Sequence, residues 1–177
     1  MRSLLTAMGL LLIFSPAYSA TQGVAIDYLL GEKQLQGIRL AYRPFYTNLT
    51  EFSWLGDLDV YWEMSANFWE IGHKNKHETN YAVAISPVFS SQFASIDDKY
   101  PVKWEFGIGV SLVGDTRFAG KNMGSHYQFE DRLGVLIEFG DDLKKYFAIR
   151  YMHYSNGGLN NHNPGLDFLN LSYAMRF

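Results

Sequence analysis

The sequence predicts an all-β fold, an eight-stranded antiparallel transmembrane β-barrel of the bacterial outer membrane. Apolar and polar residues alternate in about eight segments, which is typical of strands with one apolar face and one polar face. The clearest segment keeps its alternation over residues 101–112, long enough for a tilted membrane-crossing strand and longer than the average globular strand of about 5–6 residues. Aromatic residues make up 16% of the chain, as expected for a barrel with aromatic rings at its membrane interfaces.

Residues 1–19 have the features of a secretory signal peptide. Arg2 supplies the positive start, residues 4–14 are apolar, and Ala17-Tyr18-Ser19 is a small-x-small cleavage site. The apolar run is too short for a membrane helix, which needs roughly 20 residues. We therefore expect residues 1–19 to be cleaved and residues 20–177 to form a single barrel domain.

Charge and cysteine content exclude several classes of protein. The net charge is −3, and no stripe of basic residues could neutralise phosphates, so no nucleic-acid partner is predicted. The chain has no cysteine. An exported protein without disulfides must take its stability from burial or from a membrane.

The predicted strands follow one another without a linker. Weaker alternation occurs near residues 22–31 and 34–43, and clearer alternation occurs at 58–64, 81–89, 102–112, 133–139, 147–151 and 169–177. Turn residues separate these segments, for example Gly140-Asp141-Asp142. The regular spacing favours one domain.

A closed barrel leaves no unpaired sheet edge in the hydrocarbon layer. The alternation places Trp104, Ile108, Val135 and Ile137 on the lipid face. Eight charged residues are expected to face the lumen: Arg39, Glu63, Glu105, Glu130, Arg132, Glu138, Arg150 and Arg176. Four acids and four bases can pair with one another, as buried charges require. A soluble sandwich with these charges on a solvated face is the alternative.

The last part of the chain carries two resemblances. The final amphipathic segment ends on Phe177, which is similar to the C-terminal strand of bacterial outer-membrane proteins. Residues 151–158, Tyr-Met-His-Tyr-Ser-Asn-Gly-Gly, followed by Asn-Pro-Gly-Leu-Asp at 163–167, resemble the motif of the PagL family of outer-membrane lipid A 3-O-deacylases. The specific match covers about the last 30 residues.

This resemblance implies a serine esterase that hydrolyses the 3-O-linked acyl ester of lipid A, the membrane anchor of lipopolysaccharide. Its nucleophile corresponds to Ser155 and its base to His153. The acid of the triad, usually glutamate in the family, corresponds to Asp167. The resemblance further implies oxyanion or substrate contacts from the Gly158 backbone N–H and the Asn163 side chain, with Asn156 as a further candidate.

Strand geometry supports these roles. Residues i and i+2 of a strand project from the same face, so His153 can contact Ser155. Both share parity with apolar neighbours, as does Asp167 in the last strand, so we expect the site on the outside of the barrel. With both termini in the periplasm, the penultimate strand runs outward and places the site at the outer leaflet.

The expected partners are lipid A and the surrounding outer-membrane lipid, and no cofactor is predicted. His73 and His77 are spaced like helix-face metal ligands but lie among loop residues, so no metal site is predicted. Whether the barrel forms a homodimer stays open.

Two other functions fit the strand pattern. A structural or adhesion barrel would make the pairing of His153 and Ser155 accidental. A soluble periplasmic lipid-binding barrel would turn the apolar face inward. Release of fatty acid distinguishes the enzyme from the first, and heat-modifiable migration of the folded protein on gels distinguishes a membrane barrel from the second.

Overall fold

The computed structural model describes residues 21–49, 57–73 and 76–177. The predicted signal peptide and its cleavage site lie outside these residues. The strands are β1 Gly23–Gly31, β2 Leu35–Arg43, β3 Tyr46–Leu49, β4 Leu58–His73, β5 Lys76–Ile96, β6 Tyr100–Val113, β7 Arg117–Phe118, β8 Lys121–Asn122, β9 Tyr127–Phe139, β10 Lys145–Ser155 and β11 Leu166–Arg176. A 3-10 turn, Glu32–Gln34, joins β1 to β2. No helix in the described part of the chain is long and apolar enough to cross a membrane.

The large sheet closes on itself. Its order is β2-β1-β11-β10-β9-β6-β5-β4-β3, and β2 also pairs with β4. β3 continues the line of β2 along β4 after a break at Pro44, a residue with no N–H to donate to a sheet. β2 and β3 therefore form one interrupted strand, and the eight-stranded antiparallel barrel predicted from the sequence is confirmed.

The barrel has two distinct ends. At one end, called here the termini end, Gln22 and Phe177 exchange backbone hydrogen bonds of 3.2 and 2.9 Å. The opposite end, called here the loop end, carries the β1–β2, β4–β5, β6–β9 and β10–β11 connections. β7 and β8 form a small hairpin within the β6–β9 connection.

Alternation along the strands orients the wall as the sequence predicts. Ile108 and Val135 are exposed on the outer surface, whereas Glu105, Glu138 and Arg150 are buried inside. An apolar outer surface is the arrangement expected for a barrel in contact with lipid.

The centre of the lumen holds a network of charged side chains. Its members are each at most 1% exposed: Asp27, Arg39, Arg43, Glu63, Glu105, Glu130, Arg132 and Arg150. Glu63 is the hub, accepting hydrogen bonds from Arg39 at 2.6 Å, from Arg43 at 2.8 Å and from Arg132. Four carboxylates face four guanidinium groups, so the buried charges compensate one another.

This network differs in membership from the predicted set of inward charges. Asp27 and Arg43 belong to it and were not predicted, although Asp27 accepts a 2.9 Å hydrogen bond from Arg39. Glu138 and Arg176 face inward as expected, but nearer the termini end. There Glu138 accepts a 2.8 Å hydrogen bond from Lys103, so these residues form a separate ionic cluster.

An apolar cluster closes the lumen at the loop end. Trp69 stands at its centre, 4.9 Å from the ring of Tyr154, 5.4 Å from Phe168 and 6.3 Å from Phe118. Phe118 and Met123 come from the β6–β9 connection and are 2% and 1% exposed. This connection therefore folds inward and packs on the strands that carry the residues of the predicted site.

We expect Glu63→Gln to lower the free energy of unfolding by about 3–5 kcal/mol, the usual cost of breaking a buried ion pair. Glutamine keeps the size of the side chain but removes the charge that Arg39, Arg43 and Arg132 share. Urea unfolding in lipid vesicles measures the change. Asp141→Asn, at an exposed turn position, is the control and should leave stability unaltered. An unaltered midpoint for Glu63→Gln would show that the network does not stabilise the barrel.

Candidate functional site

The register of the last two strands brings two of the predicted site residues together. In the antiparallel pair of β10 and β11, His153 lies directly opposite Asp167. Directly opposed residues of one sheet face have their Cβ atoms about 4.5–5.5 Å apart. Both side chains are near the loop end and are about one third exposed, 33% for His153 and 32% for Asp167.

His153 and Asp167 are hydrogen-bonded. The distance from His153 Nδ1 to Asp167 Oδ1 is 2.7 Å. Since an ionised carboxylate only accepts hydrogen bonds, Nδ1 carries the proton and Nε2 of the neutral ring is free to accept one. This arrangement gives a base with a fixed tautomer, the form needed to activate a hydroxyl group.

Ser155 lies two residues beyond His153 at the end of β10 and is 8% exposed. Within the described part of the chain its side chain makes no hydrogen bond, so the structure pairs His153 with Asp167 and leaves Ser155 Oγ unengaged. Catalytic hydrogen bonds often form only when substrate is bound. A hydroxyl, an imidazole and a carboxylate in this order can perform acyl transfer.

Asn156 organises the loop that follows Ser155. Its side chain is completely buried, and Nδ2 donates to the carbonyls of Met123 at 2.9 Å and His162 at 2.7 Å. Its Oδ1 accepts hydrogen bonds from the backbone N–H groups of Gly158 at 3.0 Å and Asn160 at 3.4 Å. The Asn156 amide is therefore used within the protein, and the Gly158 N–H is engaged as well.

Asn163 differs from these two residues. It is exposed, and its Oδ1 accepts a 2.9 Å hydrogen bond from the Asn156 backbone N–H. This bond fixes the amide, while Nδ2 makes no hydrogen bond to the residues described. Of the three predicted oxyanion or substrate contacts, Asn163 alone offers an oriented side-chain donor that is not already used.

Gly165 lets the returning chain pass close to the His153 ring. Its φ is +67°, and a Cβ atom there would lie 2.6 Å from His153 Cε1. Only glycine combines this left-handed conformation with so close an approach. Lys121 holds the backbone at this position by donating a 3.0 Å hydrogen bond to the Gly165 carbonyl.

Other residues near the site were not identified from the sequence. The Tyr151 hydroxyl donates to Asp167 Oδ1, the same atom that His153 contacts. Asp131 of β9 lies opposite His153 on its other side. The parity of Tyr151 with His153 could have indicated its contact, whereas the position of Lys121 depends on loop packing that no periodic pattern reveals.

The chain is similar to known proteins of one family. The family model described as lipid A 3-O-deacylase (PagL) matches residues 36–176. Lipid A deacylase PagL of Pseudomonas aeruginosa is 35% identical over 122 residues, which cover 68% of this chain and 66% of that protein, slightly less than two thirds of its length. Lipid A deacylase PagL of Bordetella bronchiseptica is 28% identical over 157 residues, covering 88% and 83%. The crystal structure of the outer membrane enzyme PagL matches with a TM-score of 0.70 at 26% identity, covering 86% of this chain and 98% of that one.

The β6–β9 connection contacts the β10–β11 connection, so a substitution in the first is predicted to alter the activity of the site. Gly124 and Gly120 both have positive φ, +78° and +72°, but a Cβ atom at Gly124 would lie 2.3 Å from the His162 carbonyl and one at Gly120 would meet nothing within 4 Å. We expect Gly124→Ala to displace the loop after Ser155 and to lower hydrolysis of a p-nitrophenyl acyl ester about tenfold or more, since small misplacements of reacting groups are costly.

Gly120→Ala is the matched control, because it bears the same backbone strain without the clash. Activity is measured per folded barrel. Equal activity of the two variants would show that the β6–β9 connection does not position the loop.

Proposed function

Because this chain belongs to the PagL family of lipid A 3-O-deacylases, we propose that it hydrolyses the 3-O-linked acyl ester of lipid A with Ser155 as nucleophile, His153 as general base and Asp167 as the acid that orients His153. The protein is a β-barrel of the outer membrane. The hydrogen bond between His153 and Asp167 on the outer face of the wall carries the proposal. A nucleophile beside this pair meets a membrane lipid laterally, without passage through the lumen.

The proposed reaction has two steps. Ser155 Oγ attacks the ester carbonyl while His153 Nε2 takes its proton, and the tetrahedral intermediate collapses as His153 returns that proton to the departing sugar 3-hydroxyl. Water then attacks the acyl-enzyme with His153 again as base, releasing the fatty acid and restoring Ser155. Asp167 stabilises the imidazolium form in both steps. The steps use side chains of one chain only, so neither a cofactor nor a second subunit is required.

Asn163 is the donor we favour for the oxyanion. Its amide oxygen accepts a hydrogen bond from the backbone N–H of Asn156, which fixes the amide and leaves Nδ2 without a hydrogen bond to the described residues. A preorganised donor of this kind contributes about 2.7–4 kcal/mol to stabilising the transition state. The Gly158 N–H could join it only by leaving Asn156 Oδ1, and Asn156 acts by holding the loop in shape.

The topology supports a position at the outer leaflet. β10 runs from the termini end to the loop end, and cleavage of the proposed signal peptide after Ser19 leaves a mature chain that starts in the periplasm. Ser155 then lies where the acyl chains of lipopolysaccharide meet its sugars.

Mass spectrometry of lipid A from cells with and without the protein tests the proposed function. Loss of one 3-O-linked acyl group is expected, and unaltered lipid A would favour a non-catalytic barrel.

We expect Ser155→Ala and His153→Ala to fold but to lose lipid A deacylation by several orders of magnitude, because the nucleophile and base of a triad act as a unit. Fatty-acid release from purified lipid A is measured per folded barrel, with heat-modifiable migration as the control for folding. A variant that keeps more than about a tenth of the wild-type rate would exclude its residue from the proposed role.

Asp167 is tested by a pair of variants. Asp167→Asn keeps the shape but is expected to reduce hydrolysis about a hundredfold or more, because an amide can hold His153 in the wrong tautomer and cannot balance the imidazolium charge. Asp167→Glu restores the usual residue of the family and should retain substantial activity. Normal rates in both variants would limit Asp167 to a structural role and leave a dyad of His153 and Ser155.

A further inference from the structure

We propose that Tyr151 is a positioning residue, whose hydroxyl holds the carboxylate of Asp167 against the His153 ring. The proposal rests on the function proposed above and adds a fourth member to its machinery. Tyr151 contacts neither the ester nor the reacting atoms. It acts through Asp167, so its contribution to kcat should disappear when residue 167 can no longer orient His153.

The first support is strand geometry. Tyr151 and His153 are two residues apart on β10 and project from the same outer face, while Asp167 lies opposite His153 on β11. Tyr151 and Asp167 are therefore diagonal neighbours, whose Cα atoms are about 7–8 Å apart in antiparallel sheets. A tyrosine is long enough to span that separation, and its hydroxyl reaches Asp167 Oδ1.

The second support is convergence on one atom. Asp167 Oδ1 accepts hydrogen bonds both from Tyr151 and from His153 Nδ1. Two donors from different positions of β10 restrict rotation of the carboxylate about its side-chain bonds. Since Asp167 is about one third exposed, a single hydrogen bond would compete with water, and the second donor favours the orientation that serves His153.

The third support is the residue type. Aspartate is one methylene shorter than glutamate, so its carboxylate has less reach toward the imidazole than that of a glutamate would have. The hydroxyl of Tyr151 fixes the short side chain without adding a charge, so the negative charge that balances the imidazolium is kept. Tyr151 thus provides a physical reason why this chain can use aspartate.

Contact with lipid is the simpler role for an outward tyrosine that is 53% exposed. Tyr151→Phe separates the two roles, because phenylalanine keeps the ring on the membrane surface and removes only the hydroxyl. Tyr173 offers a matched control. It also projects from the outer face, on β11, and makes no side-chain hydrogen bond within the described part of the chain.

The experiment measures kcat and KM for lipid A in detergent micelles with folded full-length barrels. Tyr151→Phe is expected to lower kcat about tenfold, the scale of one hydrogen bond to a charged group, and to leave KM unaltered. Tyr173→Phe should match the wild type in both constants. In the Asp167→Asn background, Tyr151→Phe should cause no further loss, because coupled residues are not additive.

Three outcomes for Tyr151→Phe would overturn the proposal. They are a wild-type kcat for Tyr151→Phe, a loss that appears only in KM, and a tenfold loss that persists in the Asp167→Asn background. If Asp167→Asn is impaired while Tyr151→Phe is normal, the positioning role fails and the proposed triad stands. If Asp167→Asn itself is fully active, the positioning role fails with Asp167, and the variants of Ser155 and His153 still decide whether the protein is a serine esterase.

Discussion

Pairing of β2 with β4 joins the two edges of the sheet, and the other main features of the molecule follow from this closure. In hydrocarbon a backbone N–H or C=O without a partner is prohibitively costly, so a sheet survives there only without edges. Closure divides every strand into an outer and an inner face. Charged side chains assigned to the inner face lose contact with water and must compensate one another, as the four acids, Glu63 among them, and the four arginines do.

The same division sets the location of the proposed chemistry. Because alternate residues of β10 and β11 face outward, His153, Asp167 and Tyr151 share the lipid-facing surface. The wall supplies rigid spacing for these side chains. The loop after Ser155 obtains its rigidity from Asn156, whose amide links it to the β6–β9 connection. The site therefore combines a register fixed by backbone hydrogen bonds with a loop fixed by one buried side chain.

Sequence alone predicted what depends on period and parity. The eight strands, the outward face of Ile108 and Val135 and the shared face of His153 and Asp167 all follow from alternation. Features that depend on contacts between distant segments were not predicted. Asp27 lies in a strand with weak alternation, and its burial is explained only by its ion pair with Arg39. Phe118 and Met123 lie between two predicted strands, and nothing in the local sequence indicates that they enter the lumen. Asn156 was predicted to contact the oxyanion or the substrate. Its burial could not be predicted, because it arises from packing between two loops.

The filled lumen has a consequence for the permeability of the outer membrane. Ionic side chains occupy its middle and the rings around Trp69 occupy the loop end, so side chains of the described residues fill the lumen from its centre to the loop end. We expect an outer membrane rich in this protein to keep its resistance to the passage of ions, antibiotics and detergents. With the proposed function, we expect the cell to tolerate many copies of a barrel that works on its surface lipid without weakening the permeability barrier that this lipid provides.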